Sequence, residues 1–285
     1  MHNKIFACID GGPQTEGVCD YGIWAAQCLG APLTFLHALD RHPERAAVTD
    51  YSGNILPSEQ ESLLTKLVDL DEQRSKLAQE HGRQLLHAAR IRAEAKGLES
   101  VDTLQRHGAL LETAVDVQSG ARLYILGQHL QKEETSKSYF DQNAEKIVRG
   151  IKRPVLVTTG GFKPPGQFLI AFDSSVTGRK MVQTVAASPL LKGLTCHIVM
   201  VGDATTKHEH DLGWAREVMA EAGFMVQTDL RQGDPNTVLQ EEIAARRVDM
   251  LVMGAYGHSR IRELIMGSTT TTLLRTSPVP VLIIR

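Results

Sequence analysis

The sequence predicts an α/β fold made of two doubly wound parallel-sheet domains in tandem. First, the chain repeats itself, because five apolar blocks of its N-terminal half recur in the same order in its C-terminal half. Second, the blocks are short continuous apolar runs, which are typical of strands covered on both faces in a parallel sheet. Third, helical patterns separate them, so the order is β-α-β-α-β. At roughly 150 residues per domain, 285 residues also favour two domains.

The strand-like blocks correspond pairwise between the two halves. The first block of each half ends in an aspartate, Asp10 or Asp173, which small and polar residues follow. The corresponding blocks are residues 5–10 and 168–173, 33–37 and 196–201, 106–108 and 231–233, 123–127 and 250–254, and 153–157 and 279–283. Each half is therefore predicted to contain the same five strands in sequence.

Helices are predicted between these strands. The pattern of residues 178–191 indicates one helix, and residues 269–275 indicate a short one. Asp234 is a typical N-cap and Pro235 a typical first helical residue, so they open a helix that extends to about Arg247. Residues 59–96 are rich in Leu, Ala, Glu, Gln, Lys and Arg, which predicts a long helix in the first half. We interpret it as a surface or partner-facing helix rather than a catalytic element.

The junction between the halves is predicted between Val157 and Phe168, where residues 158–166 contain the Gly and Pro expected of a connector. The predicted domains are residues 1–160 and 161–285. The last strand of each half is apolar, and an exposed edge strand needs cover.

Composition narrows the classes of function. Lys and Arg number 31 against 33 Asp and Glu, a formal net charge of −2, which disfavours a nucleic-acid binder. No apolar run reaches the roughly 18 residues of a membrane span, and no signal peptide precedes the first strand, so a cytoplasmic protein is expected. The cysteines, Cys8, Cys19, Cys28 and Cys196, are too few for a disulfide framework and lack the spacing of a zinc site. Redox sensing through Cys19 or Cys28 stays an alternative.

A glycine pattern follows the fourth strand of the second half. The pattern reads Gly-x2-Gly-x9-Gly-Ser, and its fixed residues are Gly254, Gly257, Gly267 and Ser268. Glycines let the backbone approach an anion closely, and the amides at the start of the next helix favour negative charge, so a triphosphate is the natural guest. The alternative is that these glycines only shape a turn and end a helix.

The glycine pattern, the aspartate after the first strand and the final Pro-Val-Leu strand together resemble the universal stress protein family. The resemblance covers both halves, so the chain resembles two Rossmann-like domains of that family in tandem. In the second half the matching features follow one another in order: Asp173, the strand end 199–203, 233–235, 252–254, Gly267 with Ser268, and 280–283.

This resemblance implies an ATP site, with Mg²⁺, in the second half. In members of the family with the full pattern, the aspartate lies beside the adenosine and the end of the second strand pairs with the adenine edge. The residues near adenosine would then be Ala171, Phe172, Asp173 and Val201. The phosphates would meet Gly254, Gly257, Gly267, Ser268 and Thr269, and Met253 and Tyr256 would lie in the same loop, with the Tyr256 ring flanking the ribose or covering the loop.

The first half departs from the pattern. Residues 127–130 lack the second glycine, and residues 140–143 stand where Gly-Ser would be. Bulky Phe140 and acidic Asp141 would crowd and repel a triphosphate there. We therefore expect no nucleotide in the first half, which leaves another small ligand open.

The leading hypothesis is an ATP-binding stress-response module rather than a fast enzyme, because no general base or activated nucleophile has an evident partner near the glycine pattern. The alternatives are a slow ATPase or phosphotransferase that uses Asp173 or Asp203 with a metal, and a nucleotide-free scaffold or small-ligand binder. We interpret His208 and His210 as part of a solvated loop rather than a metal site, and His37 as a packed or rim residue. The resemblance also implies that the halves pair through their last strands, and it leaves a further homodimer open.

Overall fold

The computed structural model describes residues 4–39, 57–128, 139–255 and 268–285. The N-terminal half contains β1 Lys4–Cys8, α1 Thr15–Leu29, β2 Leu33–Leu39, α2 Pro57–Ala95, β3 Val101–His107, α3 Leu110–Val117, β4 Ala121–Gly127, α4 Tyr139–Gly150 and β5 Val155–Thr158. The C-terminal half contains β6 Gln167–Ala171, α5 Val176–Ala187, β7 Thr195–Val201, α6 Thr206–Glu221, β8 Met225–Arg231, α7 Pro235–Arg246, β9 Met250–Gly254, α8 Ser268–Thr276 and β10 Val281–Ile284. Among the described helices, none combines the length and apolar character that crossing a membrane requires.

All ten strands form one sheet in the order β3-β2-β1-β4-β5-β10-β9-β6-β7-β8. Within each half the strands are parallel, and the first strand lies between the second and the fourth. This order is that of a doubly wound α/β fold, and it confirms the predicted fold class. The halves meet at β5 and β10, which pair antiparallel with Val281 opposite Val157 and Ile283 opposite Val155.

Apolar side chains cover both faces of the sheet. One core cluster contains Phe35, Leu123, Phe168 and Leu282, and a second contains Tyr124, Val157, Leu251 and Val281. Each cluster draws residues from both halves, so burial continues across the β5–β10 junction. The two-sided burial explains why the central strands read as continuous apolar runs. The outermost strands β3 and β8 are mainly polar and are exposed or half-buried at all but one position, and the predicted blocks 106–108 and 231–233 mark only their ends.

Helix termini follow the local sequence closely. Asp234 caps α7, because its Oδ1 accepts a hydrogen bond from Thr237 N at 3.0 Å, as predicted. The helix predicted over 178–191 begins earlier and stops at Ala187, because Ser188 is extended before Pro189, and a 3₁₀ turn Pro189–Leu191 follows. The long helix predicted over 59–96 is α2.

The interpretation of His208 and His210 as loop residues was wrong. Both lie in α6, which Thr205 caps by accepting a hydrogen bond from His208 N at 3.2 Å. The signal that sequence reasoning missed was this threonine N-cap ahead of a helix with few apolar residues.

The junction between the halves is packed rather than loose. Gly17 on α1 lies so close to the chain that a Cβ there would be 2.5 Å from the Gly160 carbonyl oxygen. The Phe162 ring meets Tyr21 edge-on with centroids 4.8 Å apart. Lys163 pairs with Asp249 at 2.5 Å, so the connector is tied to both halves.

Candidate functional site

The strand order reverses between β6 and β9 in the second half, and a doubly wound sheet leaves a crevice at the carboxyl ends of its strands where the order reverses. Ala171, the last residue of β6, pairs with Met253 of β9. Asp173 follows β6 and Gly254 ends β9, so the two predicted anchors of the site lie beside the same crevice. Doubly wound folds bind ligands at such a reversal.

Asp173 is held at the N-terminus of α5. Its Oδ1 accepts hydrogen bonds from Ser175 N at 3.1 Å and Ser175 Oγ at 2.7 Å, while Ser175 Oγ accepts from Gly178 N at 3.0 Å. Ser174 takes the left-handed backbone conformation, with φ 57°, to make this turn. A Cβ at position 178 would be 2.4 Å from Asp173 Oδ1, so glycine is required for the close approach. Asp173 Oδ2 has no hydrogen bond among the described residues, which leaves it able to accept one.

Strand β7 extends beyond the end of β6. The last backbone hydrogen bond between them joins Phe172 N to Val199 O at 2.9 Å. Gly202 N donates to Arg231 O on the opposite side, at 2.8 Å. Backbone groups alternate sides along a strand, so the N–H and C=O of Val201 point into the crevice that β6 no longer fills. They form a donor and acceptor pair of the kind that reads the edge of a planar base.

The N-terminus of α8 lies against the end of β9. Thr270, in the first turn of α8, donates a hydrogen bond from Oγ1 to the Gly254 carbonyl oxygen at 3.4 Å. Ala255 N donates to Ile284 O at 3.3 Å, which ties the chain after Gly254 to β10. The first amides of α8, from Ser268 onward, therefore lie at the crevice, where a helix N-terminus attracts an anion.

Two predicted site residues are core residues by their side chains. Phe172 is 3% exposed and stacks on Trp214 with ring centroids 6.1 Å apart, so it offers the crevice only its backbone. Met253, expected in the loop, lies within β9 and is buried. Ala171 and Thr269 are half-buried.

The centre of the glycine pattern cannot be placed against this geometry. Tyr256, Gly257 and Gly267 lie outside the described residues, and so do the side chains of Ser268, Phe140 and Asp141. The predicted contacts of these residues with phosphate stay predictions.

The equivalent crevice of the first half keeps the aspartate and changes its surroundings. Asp10 Oδ1 accepts hydrogen bonds from Gly12 N at 2.9 Å and Thr15 Oγ1 at 3.1 Å. A Cβ on Gly127, the counterpart of Gly254, would be 2.6 Å from the Gln14 Cβ. Gln14 therefore packs directly against the glycine that ends β4, and its side chain fills space beside the crevice.

Helix α2 also lies across this end of the first half. It has 39 residues, whereas the corresponding helix α6 has 16. Position 11, directly after the aspartate, faces His81 of α2, with 3.2 Å between a Cβ built there and the imidazole Cε1. A Cβ at Gly82 would be 2.7 Å from His37 Cδ2 and 2.4 Å from Gln105 Nε2. The backbone of α2 therefore packs onto the carboxyl ends of β2 and β3. His37 Nδ1 donates a hydrogen bond to the Ile9 carbonyl oxygen at 2.8 Å, as expected of a packed residue.

Sequence reasoning missed an ion pair beside the second-half site. Arg179 pairs with Asp211 of α6, which is 4% exposed, and the guanidinium lies 4.6 Å from the centre of the Trp214 ring. The partners are far apart in sequence and no local pattern marks them. The arrangement holds Arg179 away from the crevice and fixes α5 against α6.

The cysteine thiols and the acidic side chains bear on redox sensing and on metal binding, respectively, within the described part of the chain. Burial raises the pKa of Cys8, Cys19 and Cys196 to about 12, which suppresses the reactive thiolate that redox sensing needs. Burial also raises the pKa of Cys28. Among the described residues, no group of three or more His, Cys, Asp or Glu side chains could hold a metal ion.

Comparisons with known proteins agree with the repeat. The model of the universal stress protein family matches residues 1–159 and again residues 167–285. The chain is 33% identical to the universal stress protein Slr1230 of Synechocystis sp. over 285 residues, which cover 99% of each chain.

Solved structures of universal stress proteins share the fold along the whole chain. A universal stress protein from Archaeoglobus fulgidus matches with a TM-score of 0.65 at 16% identity, over 100% of this chain and 97% of that one. A putative universal stress protein from Pseudomonas aeruginosa matches with a TM-score of 0.61 at 19% identity, over 99% of this chain and 92% of that one. At these identities the likeness concerns the fold.

Proposed function

Because the chain belongs to the universal stress protein family in both halves, we propose that its second half binds ATP with Mg²⁺ and acts as a nucleotide-dependent stress-response module. The carrying observation is the convergence of three groups on one crevice: the open Oδ2 of Asp173, the free strand edge at Val201, and the N-terminus of α8 held at Gly254. An acceptor, a base-reading edge and an anion site in this order match an adenine nucleotide.

The adenosine end of the ligand lies along β6 and β7. Asp173 Oδ2 accepts a hydrogen bond from the ribose hydroxyls or the adenine amine, while Oδ1 keeps its bonds to Ser175. The N–H and C=O of Val201 pair with the adenine edge. The backbone of Ala171 and Phe172 forms the floor, since the Phe172 ring is turned into the core.

The phosphate end lies between β9 and α8. Gly254, Gly257 and Gly267 admit the phosphates close to the backbone, and the first amides of α8 at Ser268 and Thr269 donate to them. Mg²⁺, bound by phosphate oxygens and water, offsets the charge of the triphosphate. In this proposal, the ring of Tyr256 either flanks the ribose or covers the loop.

The first half binds no nucleotide in this proposal. Gln14 packs against Gly127, and α2 places His81 beside Gly11. Gly11 directly follows Asp10, which corresponds to Asp173 in the second half. Phe140 and Asp141 replace the Gly-Ser that would receive phosphate. Residues 1–160 then serve as a partner domain, which is joined to residues 161–285 through β5 and β10. We propose the cytoplasm as the location of the protein.

Binding rather than turnover is the proposed activity. The carboxylate of Asp173 lies at the adenosine end of the proposed site. Its Oδ1 is already hydrogen-bonded to Ser175 at the N-terminus of α5. In this proposal neither Asp173 nor Asp203 acts as a catalytic carboxylate, and hydrolysis is at most slow.

Identification of the copurified ligand tests the proposal. Protein purified without added nucleotide is denatured, and the released small molecules are measured by mass spectrometry; ATP or its breakdown products are expected. Gly257→Val should release none, because the branched side chain blocks the approach of phosphate, whereas Leu130→Val in the first half should release as much as the wild type. Absence of any adenine nucleotide in the wild type, together with no binding of added MgATP, would refute the proposal.

A further inference from the structure

A groove lies on the seam between the two halves, away from the ATP crevice. It has a volume of about 460 Å³. Its lining comes from the C-terminal end of α1, the C-terminal part of α5 with the 3₁₀ turn that follows, the start of β4, and β10. Ligand sites typically occupy 300–1,000 Å³, so the groove is large enough for a small molecule. Its walls come from both halves, including Leu29 and Leu123 from the first and Leu190 and Leu282 from the second.

The floor of the groove is apolar. Leu123, Val185, Leu191, Leu282 and Ile284 all line it, and each is only 2–3% exposed, so the base of the groove is formed by the edges of packed aliphatic side chains. An apolar floor of this kind favours an aliphatic chain over water.

The rim of the groove is cationic. Lys180 on α5 and Arg122 on β4 are the charged groups among the described lining residues, and none of these lining residues is acidic. Lys180 is exposed, and Arg122 directs Nη1 toward the Leu29 carbonyl oxygen at 3.4 Å at the same rim. The exposed ammonium of Lys180, with the Arg122 guanidinium held at the same rim, favours an amphiphile with a negative head.

We propose that this groove binds a single-chain carboxylate amphiphile, with the aliphatic chain on the apolar floor and the carboxylate at Lys180 and Arg122. The ammonium of Lys180 supplies a charge-assisted hydrogen bond to the carboxylate, and Arg122 adds its positive charge. A cationic or neutral head would gain nothing from this rim. Because both halves contribute walls, an occupied groove also holds the halves together across β5 and β10.

Calorimetric titration of the full chain with dodecanoate below its micelle concentration tests the proposal. One molecule per chain is expected, and affinity should rise about fourfold for each methylene from octanoate to dodecanoate. Dodecan-1-ol and dodecyltrimethylammonium should bind at least tenfold more weakly. Equal binding of the neutral or cationic probe, or no saturable binding of dodecanoate, would overturn the proposal.

Two variants locate the ligand. Lys180→Glu, a change of an exposed side chain, should weaken dodecanoate binding at least tenfold, and Ala187→Trp should fill the exposed end of the groove and abolish binding. Ala220→Trp, at an exposed alanine on α6 away from the groove, is the matched control and should bind like the wild type. Thermal melts establish that each variant is folded. Wild-type dodecanoate affinity in a folded Lys180→Glu or Ala187→Trp variant would place the ligand elsewhere and refute the site.

Discussion

Replacing Asp173 with alanine separates the two roles that the structure gives this carboxylate. Oδ1 accepts two hydrogen bonds from Ser175 and so supports the start of α5. Oδ2 is the oxygen proposed to accept a hydrogen bond from adenosine. The first role predicts a loss of stability, and the second predicts a loss of ATP affinity.

The magnitudes follow from the contacts. Loss of a hydrogen bond to a charged acceptor costs about 1.5–3 kcal/mol, so ATP affinity should fall roughly tenfold to a hundredfold. The two hydrogen bonds on Oδ1 share one part-buried charged oxygen, so their joint loss should reduce the free energy of unfolding by about 1.5–3 kcal/mol. Any residual hydrolysis at saturating ATP should persist, because the carboxylate lies at the adenosine end.

Asp10→Ala is the matched control. Asp10 follows β1 as Asp173 follows β6, and its Oδ1 also accepts one backbone and one hydroxyl hydrogen bond. It should lose a similar amount of stability in urea unfolding and no ATP affinity in calorimetric titration. The reasoning fails if Asp10→Ala weakens ATP binding as much as Asp173→Ala, or if Asp173→Ala leaves affinity intact and abolishes a magnesium-dependent turnover.

Three further predictions concern the site, the junction and the assembly. Gly178→Ala places a Cβ 2.4 Å from Asp173 Oδ1 and should weaken ATP binding by about tenfold in calorimetry. The control Gly213→Ala, in open space on α6, should keep the ATP affinity and raise the free energy of unfolding by about 0.5–1 kcal/mol. Unchanged affinity in Gly178→Ala would argue against the carboxylate geometry. Burial raises the pKa of Asp249, but Lys163 and two backbone amides more than offset this and hold it below its usual range. A lowered folded-state pKa contributes stability above the unfolded value of about 3.9, so the difference in Tm between the wild type and Asp249→Asn should be full at pH 7 and shrink as the pH falls below about 4; a difference independent of pH would contradict the ion pair. The fragment that begins at Gly166 exposes β10, and it should dimerise through that strand on light scattering; a strict monomer would count against the pairing.

The sequence was sufficient for the fold because the central strands are buried on both faces. Runs such as 123–127 and 250–254 are apolar throughout, and each half repeats them in the same order. The predicted blocks covered only the ends of the outer strands, and the start of α6 was interpreted as a loop. In these elements burial is partial, and few apolar residues mark the helical or strand periodicity. There, the hydroxyl of Thr205 was the available signal.

The strand ends that meet at the candidate site could be predicted from the sequence, and the direction of the side chains there could not. Strand ends and glycines mark the crevice, but which face of β9 Met253 occupies depends on register, and its side chain belongs to the core. The pairing of Arg179 with Asp211 depends on how α5 packs on α6. The contact of His81 on α2 with Gly11 likewise depends on where the helix packs, which the sequence of residues 59–96 alone could not reveal.

The stoichiometry of ATP binding tests the central claim most directly. The full chain, freed of bound nucleotide, is titrated with ATP in the presence of Mg²⁺ by calorimetry, and the number of sites is checked by native mass spectrometry. The account predicts saturation at one ATP per chain, because the second half carries the glycine pattern, whereas in the first half Gln14 packs against Gly127 and His81 of α2 lies beside Gly11. Saturation at two ATP per chain, or one site that survives Gly257→Val, would contradict it.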